Sequence, residues 1–464
     1  MPFDEQAVRD AVQDGFPAAV AALGSLVRIP SIAFPGFPVE EVERSAEAVA
    51  GLFRAIGVFT EVAVHRAAYG DGLLGSPAVL AVRPAAPGRP TVLLYAHHDV
   101  QPAGREELWD APPFEPTLVG ERLYGRGASD DKAGVVTHLA ALTAASAVLG
   151  DDLGVGVSLF IEGEEEAGSR SFDAFLAEHR DVLEADVIIV ADSDNVDTVT
   201  PALTSSIRGN VTFALTVATL DHASHSGMLG GAVPDAMLAT VRLLSTLWDG
   251  TGAVAVAGLH AEPDAEAPIG WTEEQLAHDA GLLPGVTSIG SGSVADRLWR
   301  GPAITVTGID APDVRNASNT LQPSIRVRVS VRVAPGQRAD DAFAAVRSHL
   351  EQAAPFGAHL DFTDVDLGEP FRIDQTGWGT QAVRQALEDG WGAPPVPTGI
   401  GGSIPFVATL AETFPSAQIV LTGVEDPSTR AHSPNESQHL GVLRRSITAE
   451  ALLLARLSAS TMPA

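Results

Sequence analysis

Two histidines and an aspartate directly follow an apolar run in the segment Thr91–Pro102, which reads TVLLYAHHDVQP. The run Thr91–Tyr95 has the composition of a buried β-strand. His97 and Asp99 are separated by one residue, so they share one face of a strand, and His98 lies on the other face. An imidazole oriented by a carboxylate is a common metal ligand. The alternative is a capping aspartate beside two structural histidines, and this segment alone does not decide between the two.

Further carboxylates follow the next two predicted strands. The run Val155–Ile161 is followed by EGEEEAGS, with four carboxylates in five residues, and then by a predicted helix, Ser169–Leu183. The run Ala185–Ala191 is followed by Asp192 and, two residues later, Asp194. An isolated charge run is usually a solvated face. The carboxyl ends of parallel strands, however, meet at one edge of a sheet, where these acids join His97. Oxygen and imidazole ligands at one edge predict a site for two metal ions.

Two other segments supply candidate ligands. Asp130 and Asp131 open the predicted helix Lys132–Leu149, either to compensate the helix dipole or because one of them bridges two metals. Lys132 is the only lysine of the chain and is placed to neutralise this acidic pair. His432, in a C-terminal loop, would supply the imidazole that a second metal needs, although a single loop histidine is often incidental.

Composition excludes several classes of function. The 464-residue chain has a formal net charge of −30 and no cysteine. Such a charge argues against nucleic acid and anionic membranes as partners. Without cysteine, a metal must be held by His, Asp and Glu. We read no signal peptide and expect no apolar run long enough to span a bilayer, which takes about 20 residues. These features predict a cytoplasmic protein.

The elements that position these residues predict an α/β fold. Strands and helices alternate over residues 1–206, which predicts a doubly wound, mostly parallel sheet, and the same pattern returns over 376–464. Residues 207–375 instead show a β-α-β-α-β pattern, and we interpret them as an inserted α+β, ferredoxin-like domain. Within it, residues 250–303 are rich in Gly, Pro and acids and read as an elaborated loop.

Seven ordered motifs resemble the carnosinase and aminoacylase family of co-catalytic zinc metallopeptidases, and within it the cytosolic nonspecific dipeptidases. They are AHHDVQP, LYGRGASDDKAG, EGEEEAGS, ADSDN, HASHSGMLGG, GGSIPF and RAHSPNES, between about residues 91 and 436. The resemblance implies a catalytic domain with an inserted lid and dimerisation domain, and hence a homodimer.

The resemblance implies a metal ligand set. His97 and Asp192 hold one metal, Glu166 and His432 hold the other, and Asp130 bridges the two. The implied cofactors are two divalent ions, Zn²⁺ in the first place, with Mn²⁺ or Co²⁺ as alternatives. Two residues are rival ligands. His98 is disfavoured because strand alternation turns it to the other face, and Asp194 is disfavoured because Asp192 lies at the end of the predicted strand.

The resemblance also implies catalytic roles. Glu165 is the general base and acid, which takes a proton from the attacking water and passes it to the leaving amine. Asp99 orients the ligand His97. The peptide bond between Asp130 and Asp131 is cis. His225, in the inserted domain, reaches the partner subunit's site and stabilises the oxyanion.

The substrate's carboxylate is bound, by the same resemblance, by Arg332 and Thr320 and by the turn Gly401-Gly402-Ser403. Arginine suits this task because its guanidinium binds a carboxylate through two hydrogen bonds. This chain departs from the family pattern just before the turn. Gly399 and Ile400 stand there in place of the usual arginine. Two further departures are that Ala96 and His98 flank the first ligand, and that residues 319–332 are one residue shorter than the common spacing.

Together these observations predict a metal-dependent hydrolase of amide bonds, a dipeptidase acting on small peptides. One alternative is an N-acyl- or carbamoyl-amino-acid amidohydrolase with the same site. Another is a non-catalytic binding scaffold, which the loss of a ligand or of Glu165 would indicate. In the family the third-strand ligand is often Asp in aminopeptidase-like members and Glu in deacylases, so Asp192 favours the dipeptidase.

Overall fold

The computed structural model describes residues 3–70, 72–261, 271–402 and 405–461. The α-helices are α1 (Glu5–Val27), α2 (Val39–Ala55), α3 (Lys132–Leu149), α4 (Phe172–Glu178), α5 (Arg180–Leu183), α6 (Ser226–Leu229), α7 (Ala236–Leu244), α8 (Glu273–Asp279), α9 (Ala339–Ala353), α10 (Trp378–Trp391), α11 (Pro405–Thr413) and α12 (Leu440–Ala459).

The strands are β1 (Glu61–His65), β2 (Ala68–Tyr69), β3 (Leu73–Leu74), β4 (Ala78–Arg83), β5 (Thr91–His97), β6 (Thr117–Val119), β7 (Arg122–Tyr124), β8 (Gly156–Glu162), β9 (Val187–Asp194), β10 (Ala202–Ile207), β11 (Gly209–Ala218), β12 (Ser224–His225), β13 (Ala303–Asp310), β14 (Thr320–Leu321), β15 (Ser324–Val333), β16 (His359–Gly368), β17 (Phe371–Arg372), β18 (Val396–Ile400), β19 (Gln418–Glu425) and β20 (Ser437–His439).

The chain divides into two compact units. The first unit comprises Met1–Thr204, Ile373–Pro397 and Thr409–Ala464. The second unit comprises Ser205–Arg372 and Thr398–Ala408.

A mixed β-sheet forms the centre of the first unit. Its strands run in the order β1-β4-β8-β5-β9-β19-β10. The four strands β8, β5, β9 and β19 are parallel, whereas β1, β4 and β10 pair antiparallel with their neighbours. The predicted α/β class is confirmed, with the parallel block at the centre of the sheet and antiparallel strands towards its edges.

Continuous apolar runs explain the parallel block. Every residue of β8 is buried, and so is every residue of β5 after Thr91. Helix α3 contacts β5 and also packs against α1 and α12. Parallel strands with helices on their faces have no solvated side, so their sequences do not alternate between apolar and polar residues.

Helix α3 corrects one expectation from the sequence. In the described part of the chain, the segment Lys132–Asp152 is long and apolar enough to cross a membrane, judged by length and composition alone. The expectation that no run would reach this length is therefore wrong. Of its apolar window, 61% is buried inside the structure, and buried core helices commonly have this composition.

The second unit contains a four-stranded antiparallel sheet in the order β13-β15-β11-β16. The ladder between β11 and β15 runs unbroken from the pair Gly209 and Val333 to the pair Ala218 and Ser324. Alternate residues of β15 are buried, as its alternating sequence predicts. Helices α7 and α9 share an apolar core with this sheet, which gives the expected α+β architecture.

Two elements differ from the sequence prediction. The predicted loop 250–303 contains α8, and the strand β13 begins at its last residue; the Gly- and Pro-rich composition around these elements concealed them. The single helix predicted over 169–183 is two short helices, α4 and α5, which meet at His179.

Candidate metal centre

The structure brings the five predicted metal ligands together in the first unit. Their ligand atoms form two groups that share Asp130: one with His97 and Asp192, the other with Glu166 and His432. Within each group the atoms lie within 4.8 Å of one another. Carboxylate oxygens and imidazole nitrogens are ligands that divalent zinc, manganese and cobalt accept. The donor set therefore fits two divalent ions with one shared carboxylate.

Asp130 lies between the two histidines. Its Oδ1 is 3.1 Å from His97 Nε2, and its Oδ2 is 2.9 Å from His432 Nε2. His432 Nε2 is also 3.3 Å from Glu166 Oε2, and Asp192 Oδ1 is 4.0 Å from His97 Nε2. Each oxygen of Asp130 thus faces a different ligand group, which is the arrangement of a bridging carboxylate.

The strand ends account for this convergence. His97 is the last residue of β5 and pairs with Glu162, the last residue of β8. The third strand is longer than predicted, because β9 continues through Asp192 and ends at Asp194. Asp194 belongs to neither ligand group and pairs in register with Glu425 of β19. Of the two rival aspartates, only Asp192 belongs to a candidate ligand group.

The four acids at the end of β8 and in the turn after it divide into two pairs. Glu162 accepts a hydrogen bond from the Tyr95 hydroxyl at 2.6 Å. Glu164 accepts hydrogen bonds from a serine N–H and hydroxyl at 2.7 and 2.6 Å. Both side chains are buried and hold the local structure, whereas Glu165 and Glu166 face the candidate ligands. The acidic run is therefore half structural, which its sequence did not reveal.

Asp99 connects the first histidine to these glutamates. Its two carboxylate oxygens accept the backbone N–H groups of Glu165 and Glu166, each at 3.1 Å. His97 Nδ1 lies 3.1 Å from the Asp99 carbonyl oxygen and 3.4 Å from its Oδ1. An oriented second nitrogen leaves Nε2 of a neutral histidine free to bind a metal. Asp99 thus fixes both the ring and the glutamate turn.

Glu165 lies beside this centre without belonging to either ligand group. Its Oε2 is 4.0 Å from His97 Nε2. Burial, opposed in part by His97, holds the pKa of the Glu165 carboxyl well above its usual range. A carboxyl whose pKa is raised exchanges protons more readily near neutral pH, which suits general acid and base catalysis.

The Asp130-Asp131 pair performs two different tasks. Asp131 caps α3 by accepting the Gly134 N–H at 3.1 Å, and it also accepts the His97 N–H at 3.1 Å. The peptide bond between the two aspartates is cis, as the resemblance implied. The only lysine, Lys132, donates instead to the carbonyl oxygens at the end of α1, at 2.7 and 2.9 Å.

His98 points away from the metal centre, as strand alternation predicts. Its Nε2 lies 2.8 Å from the Pro77 carbonyl oxygen, and the residue belongs to neither ligand group. Burial lowers the pKa of His98 to about 4, so the imidazole is neutral near pH 7. The rival to His97 is therefore a structural histidine.

Glu436 organises the loop that carries Asp130, a role that the sequence did not indicate. This fully buried carboxylate accepts the N–H groups of Ser129 at 3.0 Å, Asp130 at 3.2 Å and Gly127 at 3.0 Å. It also pairs with Arg126 at 2.5 Å. The only available signal was its place at the end of the RAHSPNES motif.

Gln101 is a second residue that the sequence did not single out. Its Nε2 donates to Glu166 Oε2 at 2.6 Å. It follows Asp99 by two residues, and this spacing was its only signal.

His225, predicted to stabilise the oxyanion, belongs to the second unit. So do the described residues predicted to bind the substrate, Thr320, Arg332, Gly401 and Gly402, whereas Ser403 lies outside the described residues. His225 and Thr320 pair across β12 and β14. His225 is exposed, and its Nδ1 accepts the Gly227 N–H at 3.0 Å. In a neutral imidazole the proton then lies on Nε2, so the exposed nitrogen is a hydrogen-bond donor.

Comparisons with known proteins identify the class. The profile of peptidase family M20/M25/M40 matches residues 93–456, and the chain belongs to this family. The cysteinylglycine-S-conjugate dipeptidase of Corynebacterium striatum is 35% identical over 352 residues, 75% of this chain and 77% of the relative. The Beta-Ala-His dipeptidase of Rattus norvegicus is 30% identical over 387 residues, 79% of this chain and 77% of the relative.

A solved structure shows the same fold over the whole chain. The structure of the dipeptidase Dug1p from Saccharomyces cerevisiae matches with a TM-score of 0.83 and 22% identity, covering 99% of this chain and 100% of that chain. The family and these relatives confirm the predicted class, a metal-dependent peptide hydrolase related to dipeptidases. Divalent metal ions are the cofactors of this family.

Proposed function

We propose that this chain is a dipeptidase with a dinuclear metal centre held by His97, Asp130, Glu166, Asp192 and His432. The observation that carries the proposal is the pair of ligand groups sharing Asp130, with Glu165 beside them and outside both. Relatives named as dipeptidases support the substrate class. A binding scaffold is disfavoured because every ligand and the base are present.

The chemistry follows from the positions of these side chains. Two divalent ions bound here would lower the pKa of water and polarise the scissile carbonyl. Glu165 takes the proton of the attacking water on its carboxylate and transfers it to the leaving nitrogen. Asp99 holds the Glu165 and Glu166 amides in place during this transfer.

Recognition of the substrate is assigned to the second unit. Arg332, Thr320 and the Gly401-Gly402-Ser403 turn bind the C-terminal carboxylate, for which a guanidinium and backbone amides are suited. His225 donates from Nε2 to the oxyanion of the tetrahedral intermediate, a role that the hydrogen bond to its Nδ1 supports.

We also propose a homodimer formed through the inserted domain, residues 207–375. Leu238 and Val241, three residues apart on α7, are 49% and 57% exposed, and they share one face of the helix. Phe356, also exposed, lies under the guanidinium of Arg242 at 5.5 Å. Exposed apolar patches mark interaction surfaces. The double substitution Leu238→Glu and Val241→Glu should give a monomer in light scattering, and a dimer that survives it would exclude this surface.

The test of function is a hydrolysis screen of metal-reconstituted protein on dipeptides, N-acetyl amino acids and carbamoyl amino acids. Turnover of dipeptides is expected. Turnover of the acylated or carbamoylated compounds alone would establish the amidohydrolase alternative, which Asp192 argues against. Chelation should abolish hydrolysis, and Zn²⁺, Mn²⁺ or Co²⁺ should restore it, the most effective ion identifying the preferred metal. Full activity in protein shown to be metal-free would refute the proposal.

We propose that the enzyme is cytoplasmic, because disulfides are typical of secreted proteins and a chain without cysteine cannot form them. Fractionation of the source cells tests this placement.

A further inference from the structure

Arg208 is a buried cation of the second unit, with a side chain held by backbone carbonyls. The residue is 7% exposed. Its Nε donates to the Gly401 carbonyl at 3.0 Å, and its Nη1 donates to the carbonyls of Arg297 and Gly301, each at 3.3 Å. Its backbone N–H donates to the Ile400 carbonyl at 3.1 Å. Arg208 thus ties the turn after β18 to the segment before β13.

The charge of Arg208 has no carboxylate among these partners. Carbonyl oxygens satisfy the hydrogen-bond donors of a guanidinium but carry no net charge to neutralise it, and a buried unpaired charge is costly. Burial, and to a smaller extent the charge of Arg332, lower the pKa of Arg208 to about 10. The side chain therefore remains protonated at neutral pH, and a second arginine adds to the positive potential.

The close contact between Arg208 and the turn depends on a glycine at position 401. A Cβ atom at position 401 would lie 2.9 Å from the Leu298 carbonyl oxygen and 3.0 Å from Arg208 Nη2. A side chain there would crowd both groups, so Gly401 permits the close approach of backbone and guanidinium. The residues directly before the turn, Gly399 and Ile400, bring no charge of their own. Arg208 therefore brings a positive charge into contact with this turn.

We propose that Arg208 determines specificity for a free C-terminal carboxylate, acting from behind the Gly401-Gly402 turn. The inference rests on the proposed function, because it takes that turn as the carboxylate-binding site. The guanidinium fixes the turn through the Gly401 carbonyl, and its uncompensated charge favours an anion at the amides of the turn. A substrate whose C-terminus is amidated gains nothing from this charge.

The test compares a dipeptide with the amide of the same dipeptide in wild-type and variant enzyme. Arg208→Gln should lower kcat/KM for the dipeptide by about 10- to 100-fold, because the turn loses its hydrogen bond from a charged donor and the substrate's anion loses the positive charge behind the turn. The loss should arise mainly in KM. The value for the dipeptide amide should stay within about twofold, since a merely structural effect would lower both substrates equally.

Arg208→Lys provides a second variant that keeps the charge and eases folding. The preference for the free acid should fall by only about threefold to tenfold in this variant, because lysine keeps the charge but lacks the planar guanidinium with its fixed donors. The matched control is Arg326→Gln, an exposed arginine of the same unit that pairs with Asp364, and it should change neither substrate. Metal content and the unfolding temperature establish that each variant is folded.

The outcomes separate this inference from the function on which it rests. An equal loss for both substrates, or an unchanged preference in a folded Arg208 variant, would overturn it. So would a wild-type dipeptidase that does not prefer the free acid. Wild-type protein that hydrolyses no dipeptide at all would instead refute the proposed function.

Discussion

Glu165 and Glu166 are neighbours in the chain with different proposed tasks, and substitution separates them. Glu165→Gln should retain both metals and lose about 10²–10⁴ in kcat, because the group that moves the proton is gone. Glu166→Gln should lower the occupancy of one metal, because Glu166 and not Glu165 belongs to a ligand group. Metal analysis beside kinetics makes the comparison, with Glu178→Gln, an exposed glutamate on α4, as the control. Equal metal loss in both variants would contradict the assignment.

Glu436 should matter for metal binding although it is not a ligand. Glutamine at this position offers one acceptor oxygen, so its NH₂ group would face backbone N–H groups that the carboxylate now accepts. The loop carrying Asp130 would shift, and residues that orient metal ligands typically contribute about 10- to 100-fold in metal affinity. Competition with a chromophoric chelator measures this loss for Glu436→Gln. Wild-type affinity in the folded variant would show that Glu436 serves the fold alone.

At the residue scale, the sequence indicated which groups converge but not how each hydrogen bond is used. Alternation along β5 separated His97 from His98, and the structure agrees with that separation. The acids around β8 could not be sorted, because Tyr95 and Ser76, which donate to Glu162 and Glu164 respectively, come from distant parts of the chain. Arg208 was missed for the same reason: its side chain is defined by carbonyls that follow it by about 90 and 190 residues.

At the scale of elements, α3 and α12 are linked by a buried ion pair. His138 Nδ1 lies 2.9 Å from Glu450, and its Nε2 lies 3.0 Å from the Tyr95 carbonyl oxygen. Both contacts are satisfied when the imidazole is protonated and donates twice. Burial alone lowers the pKa of His138, but Glu450 outweighs burial and raises it above 6.5.

This pair makes stability depend on pH. Because the folded pKa of His138 exceeds its unfolded value, its contribution is complete below about pH 6.5 and is lost as the pH rises through the folded pKa. The free energy of unfolding, from urea titrations of wild type and His138→Gln, should therefore differ most at low pH and converge as the pH rises. Glu450→Gln should remove the same pH dependence. A difference that is constant with pH would show that packing, not charge, links the two helices.

The helices and strands also show where prediction from the sequence fails. The long apolar helix α3 was placed well, since it was predicted over Lys132–Leu149 and is found there. The strand β13 was concealed because Gly and Pro are frequent in the sequence before it, and its pairing with β15 overrides that local composition. The strand β9 runs past its apolar core because pairing with β19 continues to Asp194.

At the scale of the whole molecule, the order of strands explains why a sequence could indicate the metal centre. The candidate ligands lie at the end of β5, two residues before the end of β9, on the turn after β8, at the entrance of α3 and on the loop after β19. Parallel neighbours place their carboxyl ends together, so residues far apart in the chain meet. The residues predicted to bind the substrate could not be derived in this way, since they lie in the second unit and only the resemblance assigned them.

The last prediction concerns the proposed homodimer and the exposed imidazole of His225. Chains with His225→Ala and chains with Glu165→Gln should each be nearly inactive, because loss of an oxyanion donor costs about 10²–10³ in kcat and loss of the base costs about 10²–10⁴. If His225 serves the partner subunit's site, a mixed dimer regains one site with both groups. Freely mixing subunits should then recover about a quarter of wild-type activity.

The control for this mixture removes the base from every chain. Glu165→Gln chains mixed with chains that carry both Glu165→Gln and His225→Ala offer no complete site in any arrangement, so they should stay inactive. If the original mixture also stays inactive while light scattering shows mixed dimers, His225 acts within its own chain or outside the reaction. Recovery of activity in that mixture alone places the imidazole of one subunit at the metal centre of the other, and makes the dimer a requirement for catalysis.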